Sequence, residues 1–521
     1  MKSFSRPAFA AALSAFNTPQ EAGMAYSFPD QNGLRFIGDE LGMELTQAEA
    51  DSYHEYLSAL TPAFRMIEKL PDLAPEVKYP RTPGYQPEGA DNPHNAWYYK
   101  TSIKGAPRGK LRGKRIAVKD NVLVAGVPLT NGASVLEGYV PDTDATIVTR
   151  MLDAGAEIAG KSVCEYLCFA TNSATASTGP VDNPRAPGHT TGGSSNGSAA
   201  LVAAREVDMA IGADQAGSIR MPASFCGIVG HKPTYGLVPY TGVLGIEYSF
   251  DHVGPMADTV QECALLLEVI AGDDGIDGRQ KGVRTQPYTK ALGKGVKGMR
   301  IGVVQEGFGR PESEDGVDKS VRAAVKRLQK QGATVDLISI PWHNIGSALW
   351  LPIGIEGSYY NMVHGHGITY GANSAYSLSF MRAMAAWTQH ANELAPTIKG
   401  SLLTGAVLHQ HGGRLYAKAR NLVRRLRAEY DAWLEQYDVL VMPTTPMTAT
   451  ELVSEYASPK EVLEASWGPL NNTCPFDLTG HPAISVCCGL SDGKPVGLMV
   501  IGRHFEDATV FQVADAAHQQ Q

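Results

Sequence analysis

The stretch TTGGSSNGSAALVAAREVDMAIGADQAGSIRMPASFCG, residues 190–227, sets a serine-rich glycine loop, a small apolar run, a strand-like segment and a second glycine-serine turn in succession. The run after Ser198 reads as a helix, and the segment ending at Ile211 as a short buried strand. A helix feeding a strand in this way is one step of a layered α/β fold. Both loops carry serines. Gly193, Ser195 and Gly197 form a G-x-S-x-G pattern, which in another fold marks a nucleophile elbow. Ser218 competes with Ser195, because the small residues before it let backbone N–H groups turn inward toward an oxyanion beside its hydroxyl.

The same rhythm recurs on either side. KRIAVKDN (114–121) reads as a buried strand, DATIVTRMLDAGAEIAG (144–160) as a helix from about Asp144 and a strand near Glu157. GMRIGVVQ, VDKSVRAAVKRLQKQG and TVDLISIP make a further strand-helix-strand unit between 298 and 341. This alternation predicts an α/β fold with a mixed, largely parallel sheet flanked by helices. Strand signals then vanish from about Leu351 to Arg425, where stretches such as YSLSFMRAMAAWTQHANELA are helical in character. They return in YDVLVMPTTPMTA, HPAISVCCG and KPVGLMVIGRHFED, so the helical segment is an insertion that caps the body. Upstream, Thr46 and Glu49 form a capping box for a helix carrying Ala50, Tyr53, Leu57 and Leu60, and a proline-rich connection (71–100) follows. The expected organisation is an N-terminal helical region with its connection (1–85), a core (86–345), the helical insertion (346–430) and the rest of the core (431–521).

Composition narrows the function. The 521 residues carry a net charge of −8 with both signs interspersed, so no basic stripe exists to neutralise phosphates, and nucleic acid is excluded as a partner. The seven cysteines are sparse and odd in number, which favours a reducing compartment over a disulfide framework. Cys164 and Cys168 stand at helical spacing, but no matching His or Cys pair follows, so they read as buried thiols and no metal is expected. Lys2 and Arg6 before an apolar run faintly imitate a secretory signal, but Pro7 and the short run weaken it. No segment reaches membrane-span length, and we expect a cytoplasmic protein without a membrane partner.

A serine beside an oxyanion hole needs a base. The candidate is Lys119 at the end of the buried strand, because burial favours the neutral form of an amine. Singly, each choice has an ordinary structural explanation: a strand-end lysine, a turn serine, a glycine loop. Jointly, GGSSNGS (192–198), DQAGSIRMPASFCGIVGHKPTYG (214–236) and the lysine of VKDN (118–121) resemble the amidase signature family of serine hydrolases, whose triad is Ser, cis-Ser and Lys. The intervals, 75 residues from Lys119 to Ser194 and 24 from Ser194 to Ser218, agree with that family's arrangement. GPVDNP, MPTTP, DLTGHPAISV and VGLMVIGRHFED extend the resemblance over nearly everything from Leu111 onward, the insertion excepted.

The resemblance implies that Ser218 is the nucleophile, Ser194 the bridging serine in a cis peptide and Lys119 the base, with Ser195 a supporting loop residue. Backbone N–H groups of Gln215, Ala216, Gly217 and Ser218 would hold the oxyanion, and Asp214 and Arg220 would shape the turn as an ion pair or backbone anchors. No metal or organic cofactor is needed for such acyl transfer. Two positions depart from the family's glycines: Ala216, whose methyl narrows the turn, and Asn196, a residue that tolerates left-handed backbone.

HKPTYGLVPYTGV and EYSFDHVGPMA look closest to broad-specificity amidases of nitrile-degrading bacteria, which implies a small-molecule amide substrate and a homodimer. CEYLCFATNS (164–173) lies where relatives line the acyl pocket, making Cys168, Phe169 and Thr171 candidates, with Phe250 and Trp350 beside them. If they line it, an apolar acyl group and a small amine leaving group are expected. Alternatives stay open: a carbamate hydrolase with the same triad, an A-type amidotransferase component, an α/β-hydrolase esterase using Ser195, and a binding protein with a vestigial site.

Overall fold

The computed structural model describes residues 27–518, and the signal-like stretch at 1–20 lies outside them. The chain divides into two compact units, Met1–Ala74 and Pro75–Gln521. In the first, helices span Gln31–Glu40, Gln47–Ser58 and Thr61–Lys69. The middle one has the expected capping box, in which the Thr46 hydroxyl accepts from Glu49 N–H while the Glu49 carboxylate accepts from Thr46 N–H. The expected boundary at 85 moves to 75. Tyr85 exchanges both backbone hydrogen bonds with Lys100 (2.9 and 3.0 Å), which anchors the proline-rich connection to the large unit.

The strands of the large unit are β1 (Trp97–Lys104), β2 (Arg115–Lys119), β3 (Glu157–Ser162), β4 (Asp182–Asn183), β5 (Ala186–Thr190), β6 (Met209–Asp214), β7 (Val229–Lys232), β8 (His252–Ala257), β9 (Arg300–Val304), β10 (Thr334–Ile338), β11 (Val439–Pro443), β12 (Ala483–Ser491) and β13 (Lys494–Ile501). Eleven of them form one mixed sheet in the order β1-β3-β2-β6-β8-β7-β12-β13-β11-β9-β10, while β4 and β5 pair separately. Parallel pairing occurs in two blocks, β3-β2-β6 and β11-β9-β10. These hold the strand-helix-strand units, because a helix returning the chain across the sheet leaves successive strands parallel. The helices responsible, Thr146–Asp153, Asn196–Ala203 and Asp315–Lys330, stand where the apolar periodicity puts them. Between the blocks, β8, β7, β12 and β13 run antiparallel.

Close packing fixes the site-bearing segments. The helix Asn196–Ala203 and strand β6 are buried throughout. A Cβ at Gly197 would come within 2.4 Å of the Ala96 carbonyl, so glycine is what lets this helix lie against neighbouring backbone. Asn196 opens the helix in ordinary helical conformation, not the left-handed one its residue type allows. Between β10 and β11 the chain is helical, with Gly346–Tyr359, Leu378–Ala385, Pro396–His409 and Arg414–Leu434 as its main helices. Gly346–Tyr359 packs on the next-to-last and last of these and on the core helix Cys474–Thr479, so the insertion belongs to the large unit.

A buried ion cluster joins the two halves of the core. Arg220, which begins the helix Arg220–Cys226, donates from Nε to Asp214 Oδ2 (2.9 Å) and from Nη2 to Asp214 Oδ1 (3.0 Å) and Asp477 Oδ2 (2.7 Å). Its Nη1 donates to the Thr473 carbonyl (2.9 Å), and all three charged side chains are fully buried. Burial alone would raise the Asp214 carboxyl, but the Arg220 charge outweighs it and holds Asp214 well below the usual range. Asp477 is pushed well up by burial and by the neighbouring Asp214 charge. The guanidinium is what holds the Asp214 charge in place. Removing it strands that charge: Arg220→Gln is expected to cost roughly 3–5 kcal/mol in urea unfolding, whereas a surface Arg425→Gln should cost under about 1 kcal/mol.

Candidate active site

Lys119 ends β2 at the point where the sheet opens into loops, and it is fully buried. Its Nζ donates to Ser194 Oγ at 2.8 Å and to the Ala213 carbonyl at 3.4 Å. The Gly193–Ser194 peptide is cis. The Ser194 carbonyl accepts from Glu165 N–H (3.3 Å), and the following Ser195 N–H donates to the Ser218 carbonyl (3.3 Å), so the loop and the turn are stitched together by backbone bonds. Lys119, Ser194 and Ser218 thus meet at one end of the sheet, with Ser218 only 3% exposed.

Ser195 does something else. Its Oγ donates to the Ala213 carbonyl (3.1 Å) and accepts from Ala213 N–H (3.2 Å), bracing the loop against β6. A hydroxyl engaged twice by backbone, with no histidine on it, lacks what a nucleophile elbow requires.

The turn is shaped from below by Asp214, whose carboxylate accepts from the N–H groups of Gly217, Ile219 (3.1 Å) and Arg220 (3.4 Å). This corrects one expectation: Gly217 N–H is spent on Asp214, leaving Gln215, Ala216 and Ser218 as the candidate oxyanion donors. Gly217 is needed for another reason, since φ is +130° and a Cβ would lie 2.3 Å from Thr473 Oγ1. That hydroxyl donates to the Ala216 carbonyl (2.5 Å), a brace from the far end of the chain.

Two groups beside Lys119 and Ser194 are not assigned to this position by the sequence patterns. Glu165 is buried, and burial raises its carboxyl. Its Oε2 accepts from Thr175 N–H (2.9 Å) and from the Thr175 hydroxyl, while Oε1 lies over Gly193 without a hydrogen-bond partner. Cys168 is the other. Burial raises its thiol, but the Cys164 thiol, the Lys119 charge and the Ser194 hydroxyl together outweigh that and bring it to about 7. Its Sγ also donates to Asn131 Oδ1 (3.2 Å). Leu167 and Cys168 both have positive φ, so this segment is a tight loop, not the helix that the Cys164–Cys168 spacing allows.

A small apolar cavity adjoins this loop, with about 50 Å³ open to the centre of a water-sized sphere. Asn131, Leu167, Phe169, Leu244 and Ile246 line it from the core, and Met362, Phe380, Ile398 and Leu402 from the insertion. Asn131 links it to the relay through Cys168. Among the five expected pocket residues, Phe169 is in this lining, and Cys168, Thr171, Phe250 and Trp350 are not. The Thr171 hydroxyl is consumed by the Ser466 carbonyl, and the Cys168 thiol faces Asn131 and the relay. Phe250 is fully buried and stacks on Trp350 (5.9 Å), which also meets Phe169 (6.2 Å) and Trp467 (5.9 Å). Trp350 Nε1 donates to the Gln215 carbonyl (2.8 Å), so this aromatic wedge ties an insertion helix to the Ser218 turn. The lining residues come from segments more than 200 positions apart, which no local pattern reveals.

Residues 90–511 match the Amidase family. The chain is 43% identical over 504 residues to an enantioselective amidase of Rhodococcus rhodochrous, covering 94% of this chain and 95% of the relative. It is 37% identical over 413 residues to the A-type component of the glutamyl-tRNA(Gln) amidotransferase of Exiguobacterium sibiricum, covering 78% and 83%. Among solved structures, the corresponding component of the glutamyl-tRNA(Gln) amidotransferase from Thermotoga maritima superposes with a TM-score of 0.68 at 30% identity, covering 82% of this chain and 91% of that one. With the sheet order, the serine loop and the turn in place, these likenesses converge: the chain belongs to the amidase signature family and is a hydrolase of amide carbon-nitrogen bonds.

Proposed function

We propose that the protein hydrolyses small carboxylic acid amides to the acid and ammonia through an acyl-enzyme on Ser218. The observation that carries this is the 2.8 Å hydrogen bond from buried Lys119 to Ser194, in a loop whose backbone is bonded to Ser218. Ser218 Oγ attacks the carbonyl carbon while its proton passes to Ser194, whose own proton moves to Lys119. The oxyanion is met by N–H groups of the turn. Collapse breaks the C–N bond, the relay returns a proton to the departing nitrogen, and water repeats the sequence to release the acid.

An apolar acyl group suits the cavity, because its burial removes hydrocarbon from water at about 25 cal/mol per Å². Gln215 favours amides. Its Nε2 donates to the Tyr240 hydroxyl (2.9 Å), which leaves Oε1 buried without a hydrogen-bond partner among the described residues. A substrate N–H supplies the missing donor, and an ester does not. Carbamates keep an N–H and an attackable carbonyl, so they are the second substrate class to assay. The amidotransferase reading requires a partner protein and tRNA, to which a chain of net charge −8 brings no general attraction.

A homodimer is in keeping with the N-terminal unit, which leaves Leu41, Met66, Ile67 and Leu70 between 59% and 64% exposed. All seven cysteines are free thiols, as suits a cytoplasmic protein, and among the described residues no helix is long and apolar enough to cross a membrane.

Four measurements test these points. On propionamide, benzamide and ethyl carbamate, Ser218→Ala, Ser194→Ala and Lys119→Ala should each lower kcat by at least about 1,000-fold. Ser195→Ala should keep most of the activity and lose about 1–3 kcal/mol of stability with its two backbone bonds. Gln215→Leu should lower kcat/KM on benzamide roughly 10-fold to 100-fold while changing turnover of methyl benzoate far less. Light scattering should give a dimer mass, reduced to a monomer by Met66→Glu with Ile67→Glu.

A further inference from the structure

The C-terminal end of the insertion meets the core at three side chains that the chemistry above does not use. Asp431 lies on the helix Arg414–Leu434, His481 precedes β12 and His504 follows β13. Their ligand atoms all lie within 4.8 Å of one another. His504 Nε2 is 3.0 Å from the Thr479 carbonyl, which can only accept, so the ring proton sits on Nε2 and Nδ1 presents a lone pair. That lone pair faces Asp431 Oδ1 at 3.9 Å, where no proton stands between them.

His481 Nε2 reaches the same carboxylate oxygen at 3.0 Å. Its Nδ1 is 2.9 Å from Thr479 Oγ1, and that hydroxyl has its own acceptor in the Pro475 carbonyl at 3.0 Å. His481 can therefore carry its proton on Nδ1, given to Thr479, and turn a bare Nε2 toward Asp431. A ring nitrogen with its lone pair free in this way is the form of imidazole that binds a metal.

We propose that Asp431 Oδ1, His481 Nε2 and His504 Nδ1 bind one zinc-class divalent ion, with water as the fourth ligand, as a structural cross-link between the insertion and the core. A tetrahedral ion with ligands at about 2.0–2.1 Å spaces them roughly 3.4 Å apart, and the 3.0 and 3.9 Å separations bracket that value. Thr479 holds the second nitrogen of both rings, as outer partners do around bound metals. Two imidazoles and one carboxylate favour zinc, nickel or cobalt over magnesium or calcium. Arg427 acts against the site, since its positive charge stands near both histidines and Asp431 and would repel a cation there. The expected affinity is accordingly moderate, a Kd on the order of 1 μM.

The test uses the full chain with no affinity tag, stripped with a chelator and titrated with zinc chloride by calorimetry, with Tm followed in parallel. One equivalent of zinc should bind and raise Tm, while His504→Ala and Asp431→Asn each weaken binding at least about 10-fold. Both variants should turn over benzamide at the wild-type rate in chelator, so a failed amidase assignment leaves this result readable. No heat and no Tm shift at about 100-fold excess over the expected Kd would overturn the proposal, with His481 then donating Nε2–H to Asp431. Unchanged affinity in both variants would also overturn it, and would point to other imidazoles such as His364 and His409.

Discussion

Everything at the catalytic end of the sheet depends on the guanidinium of Arg220 lying between two buried carboxylates. Such a group costs a great deal to dehydrate, and the cost is offset only when every donor and acceptor is used. Here Nε, Nη1 and Nη2 all have partners, and Asp214 spends its remaining capacity on N–H groups of the turn that carries Ser218. The ion pair and the shape of that turn are one object. Asp477 and Thr473, more than 250 residues later in the chain, complete it.

Around that object three remote segments are brought to one point. β2 delivers Lys119, the glycine loop delivers Ser194, and an insertion helix delivers Trp350 to the Gln215 carbonyl. None of these contacts is strong alone, but each removes a freedom that an attacking hydroxyl would otherwise have to lose in the transition state. Glu165 and Cys168 lie beside Lys119 and Ser194, and their neighbours Leu167 and Phe169 form one wall of the apolar cavity. The insertion closes that wall with apolar side chains, which keeps water from a site whose electrostatics depend on dryness.

What the sequence discloses follows the range of the interactions. Helix-strand alternation is a local periodicity, and the helices at Thr146–Asp153, Asn196–Ala203 and Asp315–Lys330 stand where it places them. The Thr46 capping box is local too. The antiparallel centre of the sheet is only partly so: β12 and β13 are joined by the two-residue turn Asp492-Gly493, but β7 pairs with β12 from about 250 residues away without any pattern to announce it. The site divides in the same way. Lys119, Ser194 and Ser218 are singled out by three motifs that resemble the amidase signature family, and Asp214 with Arg220 by their proximity to the turn. Thr171, Phe250 and Trp350 carry side chains that suit a pocket, but hydrogen bonding and stacking with partners far along the chain engage them elsewhere. Gly217 N–H is lost to the oxyanion for a reason visible only in three dimensions, the inward aim of the Asp214 carboxylate.

Whether the hydroxyl of Ser218, and not that of Ser195, forms the covalent bond to substrate is tested most directly by peptide mapping. The protein is inactivated with an organophosphorus fluoridate, digested and read by mass spectrometry. One adduct per chain on Ser218, appearing in step with the loss of activity, is the predicted result. An adduct on Ser195, or full inactivation with Ser218 unmodified, would contradict the assignment of the nucleophile.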